Sequence, residues 1–235
     1  MKKLFRISLL ISFTLLIVGC GKPPLIPEPT PTSSPTNIPT PAPSITPTAS
    51  VQARLILSKP SGAEVAYDFI RHMCDATWSN NGVILKCPSE NTDGTMGAVL
   101  YQSNVMIENS ILVEQPALLT LPAQKGSGYG GIFGIFPEIQ IQNGDRFRAV
   151  LACANQMEQC DLTFSLEYFK SANEVSGVPD AVWAKKFSLQ GDYIIADIDL
   201  SFLAGKKIKF VLTVCDNGNP DQDWGVWLQP HIWRK

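Results

Sequence analysis

Short runs of alternating apolar and polar residues follow residue 60, and they restrict the fold more than any other feature of the chain. The clearest runs are RFRAVLA from Arg146, LTFSLEY from Leu162, IIADIDL from Ile194 and KIKFVLTV from Lys207. A period of two places the apolar side chains on one face of a half-buried β-strand. Turn formers such as QNGD, SGVPD, QGD and DNGNP separate the runs. Because no helical periodicity of useful length accompanies them, we predict an all-β fold, an antiparallel β-sandwich of the jelly-roll type.

The first twenty residues have the layout of a secretory signal peptide. Lys2, Lys3 and Arg6 precede an apolar run from Ile7 to Val18, which is shorter than a membrane-spanning helix requires. The segment ends in IVGC, which resembles the lipobox of bacterial lipoproteins. The resemblance implies cleavage before Cys20 and lipid, palmitate included, on its thiol, which would anchor the protein on the extracytoplasmic side of a membrane. The alternatives are a plain signal peptide and an uncleaved apolar anchor.

Residues 21–50 form a segment dominated by proline and threonine. Ten of these thirty residues are proline, and few are large and apolar. Proline removes backbone donors and fixes φ, so neither a helix nor a sheet is expected. We predict an extended, disordered stalk that holds a single β-sandwich domain, residues 51–235, away from the membrane.

The charge balance argues against a nucleic-acid partner. Without the three basic residues of the signal peptide, the chain carries 16 basic and 21 acidic side chains, a net charge of −5. No basic stripe with interleaved aromatic residues is present, so we expect no nucleic acid among the partners.

The cysteines of the domain favour disulfides over a metal site. Cys153 and Cys160 flank a polar hinge between two strand-like runs, and Cys74 and Cys87 form the next pair. An exported domain lies where disulfides persist, and the spacings of zinc sites are absent. We therefore predict two disulfide bonds, with the pairing left as a hypothesis.

Asp197 and Asp199 are the only acidic pair that suggests catalysis. They share a strand face, like the carboxylates of β-fold glycosidases. However, Lys207 and Lys209 lie on the next predicted strand, and a short turn would place them opposite the two acids as ion pairs. We therefore predict no catalytic site, and a β-sandwich glycoside hydrolase is the third alternative for function.

The stretch from Ile198 to Ile232 resembles the C-terminal hairpin of bacterial galactose-binding-like jelly-roll modules. The shared features are the IDLSFLAG turn, the alternating strand after it, a loop of Asp, Asn and Gly, and the final DWGVWLQPHI strand. Residues 67–80 and 144–153 fit the same kind of module more loosely. Many such modules bind carbohydrate beside secreted glycosidases, while others are spacers or protein-binding units. The resemblance implies a jelly roll and a carbohydrate ligand.

The C-terminal strand offers candidate ligand-binding residues. If Gly225–Trp233 is an uninterrupted strand, Val226, Leu228, Pro230 and Ile232 face the core, while Trp227, Gln229, His231 and Trp233 face the other way. Indoles stack on sugar C–H surfaces, and amide and imidazole groups bond hydroxyls. We add Tyr129 and Trp78 as further candidates. The alternative is that the loop 124–131 covers the stripe, so that the indoles only pack. Pro230 indicates a sheet edge or a bulge.

The loop before this strand suggests a cation site. Its sequence, DNGNPDQD, offers Asp216, Asp221 and Asp223 as oxygen ligands for a structural calcium ion. The alternative is an ordinary turn, since Asp, Asn and Gly are common turn residues. We expect no other metal or cofactor.

The sequence therefore predicts a membrane-anchored extracytoplasmic module that binds carbohydrate or another cell-surface polymer. Its membrane partner would be reached through Cys20. The alternative is a structural or protein-interaction lipoprotein without a glycan ligand.

Overall fold

The computed structural model describes residues 58–80, 82–90, 96–107, 111–123, 130–154, 160–169, 179–188, 193–217 and 223–235. The predicted signal peptide, with Cys20, and the predicted stalk lie outside these ranges. The boundaries at residues 20 and 50 therefore stay predictions.

Fourteen strands are present in the described part of the chain. They are β1 (Glu64–Asp68), β2 (Thr77–Asn80), β3 (Val83–Ile84), β4 (Ala98–Gln102), β5 (Val105–Ile107), β6 (Ile111–Val113), β7 (Ala117–Leu121), β8 (Gly131–Gln140), β9 (Arg146–Cys153), β10 (Asp161–Phe169), β11 (Asp180–Ser188), β12 (Ile194–Asp199), β13 (Lys207–Asp216) and β14 (Gly225–Arg234). Short 3₁₀ turns lie at Met73–Asp75 and Ser201–Leu203.

Two six-stranded sheets and one hairpin organise these strands. Sheet I has the order β12-β9-β14-β7-β4, and β1 also pairs with β14. Sheet II has the order β11-β10-β13-β8-β2-β3, and β5 pairs with β6. Every pairing between described strands is antiparallel, which confirms the predicted β-sandwich.

The main core lies between the two sheets. Its largest fully buried side chains are aromatic or aliphatic: Trp78, Trp227, Phe69, Phe136, Phe147, Phe164, Phe210, Leu118 and Ile132. The alternating runs supply one face each, as with Phe147, Ala149 and Leu151 on β9. Burial of a side chain the size of Phe contributes roughly 1.5–3 kcal/mol, so this layer provides most of the driving force for folding.

A second apolar cluster lies on the other side of sheet I, under the β5–β6 hairpin. Its buried members come from the hairpin and from the sheet beneath it: Val105, Ile107, Val113, Ala117, Leu119, Val150, Ala152, Val226 and Leu228. Strands β7, β9 and β14 of sheet I therefore carry buried apolar side chains on both faces.

Both predicted disulfide bonds are present. Cys74 bonds Cys87 with a Cα–Cα distance of 5.2 Å, and Cys153 bonds Cys160 with a Cα–Cα distance of 6.3 Å. The bonds close loops with sequence separations of 13 and 7 residues. Cross-links over loops of about this length typically stabilise a domain by roughly 2–4 kcal/mol.

Asp197 and Asp199 do form ion pairs, but not with the predicted lysines. After β12 the chain crosses to the other sheet through the Ser201–Leu203 turn, so β12 and β13 are not neighbours. Asp197 instead lies 2.7 Å from Arg146 Nε and 3.2 Å from Arg148 Nε. Lys207 and Lys209 lie opposite Gln140 and Glu138 on β8.

Asp199 is likewise held by its surroundings. It lies 3.7 Å from Arg146 Nη1, and it accepts a hydrogen bond of 2.8 Å from the Ser201 amide. Hydrogen bonds from Ser201 are the main cause that holds the pKa of this exposed carboxyl below its ordinary value.

Candidate functional site

Strand β14 is broken in its middle by a bulge at Gln229. Gln229 has a φ of 47°, a left-handed conformation that is uncommon outside glycine. The pairing register with β9 shifts between Leu228 and His231. Next to the break, the Pro230 carbonyl accepts a 3.1 Å hydrogen bond from the Phe69 amide. The prediction of an edge or a bulge at Pro230 is thus confirmed as a bulge.

The bulge changes which face each side chain occupies. Before it, Trp227 points into the main core, while Val226 and Leu228 lie under the β5–β6 hairpin. After it, Ile232 points into the main core. The predicted single face of Trp227, Gln229, His231 and Trp233 is therefore wrong, because it assumed an unbroken period of two.

Trp227 and Trp78 are core residues and not ligand platforms. Trp227 is 0% exposed, and its ring centroid lies 5.0 Å from that of Phe164 at 81°. Trp78 is 1% exposed, and its Nε1 donates a 2.7 Å hydrogen bond to the Met73 carbonyl. A Cβ at Gly134 would lie 2.5 Å from the Trp78 ring, so the indole occupies the space of a side chain there. The prediction that these two residues bind ligand is wrong.

Trp233 lies beside His231, away from the main core. The two ring centroids are 5.4 Å apart, with an interplanar angle of 79°. Only 9% of Trp233 is exposed, so its indole supports the neighbouring residues and offers little surface to a sugar. The predicted stacking role of Trp233 is therefore wrong. Tyr129 and most of the predicted covering loop, residues 124–129, lie outside the described residues.

Gln229 and His231, by contrast, line a cleft in sheet I. Its volume is about 450 Å³, and its lining residues are Asp68, Ile70, Arg71, Tyr101, Pro116, Gln229 and His231. One edge of β14 pairs with β7 as far as Leu228, and with β1 from His231 onward. The cleft lies at the gap where β14 changes partner, so the bulge and the cleft occur at the same place.

Asp68, the last residue of β1, holds the turn that forms one wall of the cleft. Its Oδ1 accepts hydrogen bonds from the amides of Ile70 at 2.9 Å and Arg71 at 3.0 Å. Its Oδ2 lies 3.5 Å from His231 Nε2. Burial raises the pKa of Asp68, but the hydrogen bonds from His231 and from the two backbone amides outweigh it and hold the pKa below the ordinary value.

A row of four ionisable side chains, here called the charge row, continues from the cleft across sheet I. Asp68 pairs in register with His231, His231 with Arg148, and Arg148 with Asp197. The row crosses four strands. Asp68 faces the imidazole of His231, and Asp197 faces the guanidinium of Arg148. His231 Nδ1 is buried and has no hydrogen-bond partner among the described residues. The network therefore holds the His231 ring through Nε2 and through its contact with Trp233.

Tyr101 supplies the aromatic surface of the cleft. It lies on the edge strand β4 and is 52% exposed. Sequence reasoning missed it together with Asp68 and Arg71. A signal was available for Asp68, because an aspartate at the end of a strand commonly accepts the amides that follow it and starts a turn. No local signal marks Tyr101, since its place beside β14 depends on pairing through β7.

The predicted calcium ligands are engaged within the protein. Asp216 is buried and accepts a hydrogen bond from the Gly130 amide, and Asp223 is buried and accepts one of 3.1 Å from the Asp161 amide. Asp221 lies outside the described residues. Within the ranges that the structure describes, no group of three or more side chains could hold a metal ion. In the same ranges, no helix has the length and apolar character of a membrane span.

Comparison with known proteins finds only distant structural similarities. No family model and no curated protein matches it. One similar structure is a family 22 carbohydrate-binding module from a xylanase of Clostridium thermocellum, with 12% identity, a TM-score of 0.41 and coverage of 74% of this chain and 96% of that one. Another is CBM27-1 of Caldicellulosiruptor saccharolyticus in complex with mannohexaose, with 9% identity, a TM-score of 0.43 and coverage of 74% and 97%.

A third similar structure is longer than this chain. It contains the CBM22-1 and GH10 modules of the same Clostridium thermocellum xylanase complexed with xylohexaose. The identity is 13% and the TM-score 0.37, with coverage of 68% of this chain but only 27% of that one. Several of the similar structures are thus carbohydrate-binding modules, and at these identities none of them assigns a site to this chain.

Proposed function

We propose that this protein is a carbohydrate-binding module whose ligand lies in the cleft of sheet I. The observation that carries the proposal is the position of a half-exposed Tyr101 beside the Gln229 amide at a concave gap in the sheet. A tyrosine ring offers an apolar face to sugar C–H groups, and the amide, guanidinium and carboxylate groups around it can bond hydroxyls. The proposal involves binding and no catalytic step.

The size and wall structure of the cleft suit such a ligand. Its volume of about 450 Å³ falls within the roughly 300–1,000 Å³ of small-ligand pockets. Asp68 holds one wall through its contact with His231 and through the amides of Ile70 and Arg71, so the wall is organised before a ligand arrives. Preorganised polar groups lose less entropy on binding, which raises affinity for a given set of contacts.

The proposal includes anchoring of the module at a membrane surface. Its support is the lipobox-like IVGC ending at Cys20 and the proline-rich composition of residues 21–50. Lipid on Cys20 would hold the chain at the extracytoplasmic surface, and the stalk would extend the domain toward extracellular polymers. Metabolic labelling with a fatty-acid analogue tests this part, since the label should disappear in Cys20→Ala.

The ligand is tested by measuring glycan binding of the full chain in detergent with a panel of immobilised and soluble oligosaccharides. We expect Tyr101→Ala to lower affinity for any glycan found by at least tenfold, because the ring is the exposed aromatic surface of the cleft. Tyr193→Ala is the matched control, since Tyr193 is also partly exposed but does not line the cleft. Equal loss in both variants, or retention in both, would contradict the proposal.

A protein partner is the second candidate function, and one observation favours it. Strand β3 lies at the edge of sheet II, and its Val83 and Ile84 are 43% and 74% exposed. Exposed apolar side chains at a sheet edge are a common feature of protein contacts. Ile84→Lys should abolish binding of such a partner and leave glycan binding unchanged.

A further inference from the structure

Arg71 is a cation of the cleft without a carboxylate partner among the described residues. It lies on the turn after β1, and its backbone amide is fixed by Asp68 at 3.0 Å. Its side chain is exposed and lines the cleft. The ion pairs of the described residues join other groups. The backbone is thus anchored while the guanidinium is available.

The carboxylate that lines this cleft, Asp68, is already engaged, and so are two others that do not line it. Asp68 accepts two backbone amides and faces His231 Nε2. Asp197, at the far end of the charge row, lies against Arg146 and Arg148. Asp75, on the 3₁₀ turn that follows, lies 2.7 Å from His72 Nδ1. Arg71 is therefore the charged side chain of the cleft that no ion pair or side-chain hydrogen bond within the described residues engages.

A free guanidinium beside a sugar-sized cleft selects for an anionic group on the ligand. Arginine offers paired N–H donors in a planar fork that matches the two oxygens of a carboxylate. A neutral sugar would use only one or two of these donors and would leave the charge unpaired.

We infer that the preferred ligand is an acidic glycan, whose hexuronic acid carboxylate pairs with Arg71 while its ring contacts Tyr101. The inference rests on the proposed carbohydrate site and narrows its ligand class.

The test compares an oligogalacturonate, its methyl ester and a neutral galactose oligomer of equal length, each titrated into the full chain in detergent. We expect the acid to bind at least tenfold more tightly than the ester. Arg71→Ala should bring the acid-to-ester ratio close to one, and Arg71→Lys should keep part of the preference. Raising the salt concentration should weaken binding of the acid more than that of the ester.

Controls separate failure of the inference from failure of the site. Lys207→Ala removes an exposed cation from sheet II and should leave the preference unchanged. Thermal unfolding of each variant checks the fold, which the exposed Arg71 side chain should not affect. Binding of acid and ester with equal affinity, lost in Tyr101→Ala, would overturn the acidic ligand and keep the carbohydrate site. Binding of none of the three, together with no hit on the wider panel, would overturn both.

Discussion

The two halves of β14 have opposite roles, although they belong to one strand. The half from Gly225 to Leu228 is buried on both sides, between the main core and the β5–β6 hairpin. The half from His231 to Arg234 buries Ile232 but turns His231 toward the cleft and the charge row. Of the two residues between them, Gln229 has a positive φ. A single bulge can thus separate a segment that is buried on both sides from one that faces a cleft.

The largest expected effect concerns the buried half. Trp227→Ala should destabilise the domain by about 3–5 kcal/mol, because it opens a cavity beside Phe164 in the main core. Trp233→Ala should cost less, since Trp233 is 9% exposed and belongs to neither apolar cluster. Urea unfolding followed by circular dichroism measures both. Equal losses in the two variants would mean that the halves do not differ in packing.

A smaller effect is expected at the bulge itself. Gln229→Gly should raise stability by up to about 1 kcal/mol, because glycine adopts a positive φ without the strain of a Cβ. The same change removes an amide from the cleft and should weaken glycan binding. We therefore expect the free energy of unfolding, measured with urea, to rise, and the glycan affinity, measured by titration, to fall. Gln229→Val serves as the control. It should lower both the stability and the glycan affinity, since a β-branched residue tolerates a positive φ poorly.

The smallest effect is a pH dependence of stability in the half that faces the cleft. The pKa of Asp68 is lowered in the folded protein, so its charge stabilises the fold above the unfolded value of about 3.9. That contribution is lost as the pH falls through the folded pKa. Asp68→Asn should therefore be less stable than the wild type at pH 7, and the difference should shrink below about pH 4. A difference that persists unchanged at pH 3 would contradict the role of this charge.

Local patterns were sufficient to predict the architecture. Alternation on β9, β10, β12 and β13 gives the inward faces directly, because a strand has a period of two regardless of its neighbours. The disulfides were predictable for a similar reason, since each pair brackets a short segment. These features depend on residues close together in the chain.

The site was only half predictable, because it depends on partners distant in sequence. Gln229 and His231 were found from their polar character on a terminal strand. The bulge after Leu228 involves a partner distant in sequence, because the Pro230 carbonyl accepts a hydrogen bond from the Phe69 amide. The same limit explains the wrong partners for Asp197, since which strands become neighbours is a property of the whole sheet.

The pairing of β1 with β14 gives the domain a mechanical property. Glu64 lies opposite Arg234 and Asp68 opposite His231, so β1 runs from the N-terminal side of the domain to the cleft. If the chain is tethered through its N-terminal side and a polymer is held in the cleft, tension passes lengthwise along β1. Its hydrogen bonds to β14 would then be loaded in shear, and they would share the load instead of opening one at a time. Under flow, β1 would therefore have two roles: it helps to form the cleft, and it would carry the tension between the tether and the bound polymer.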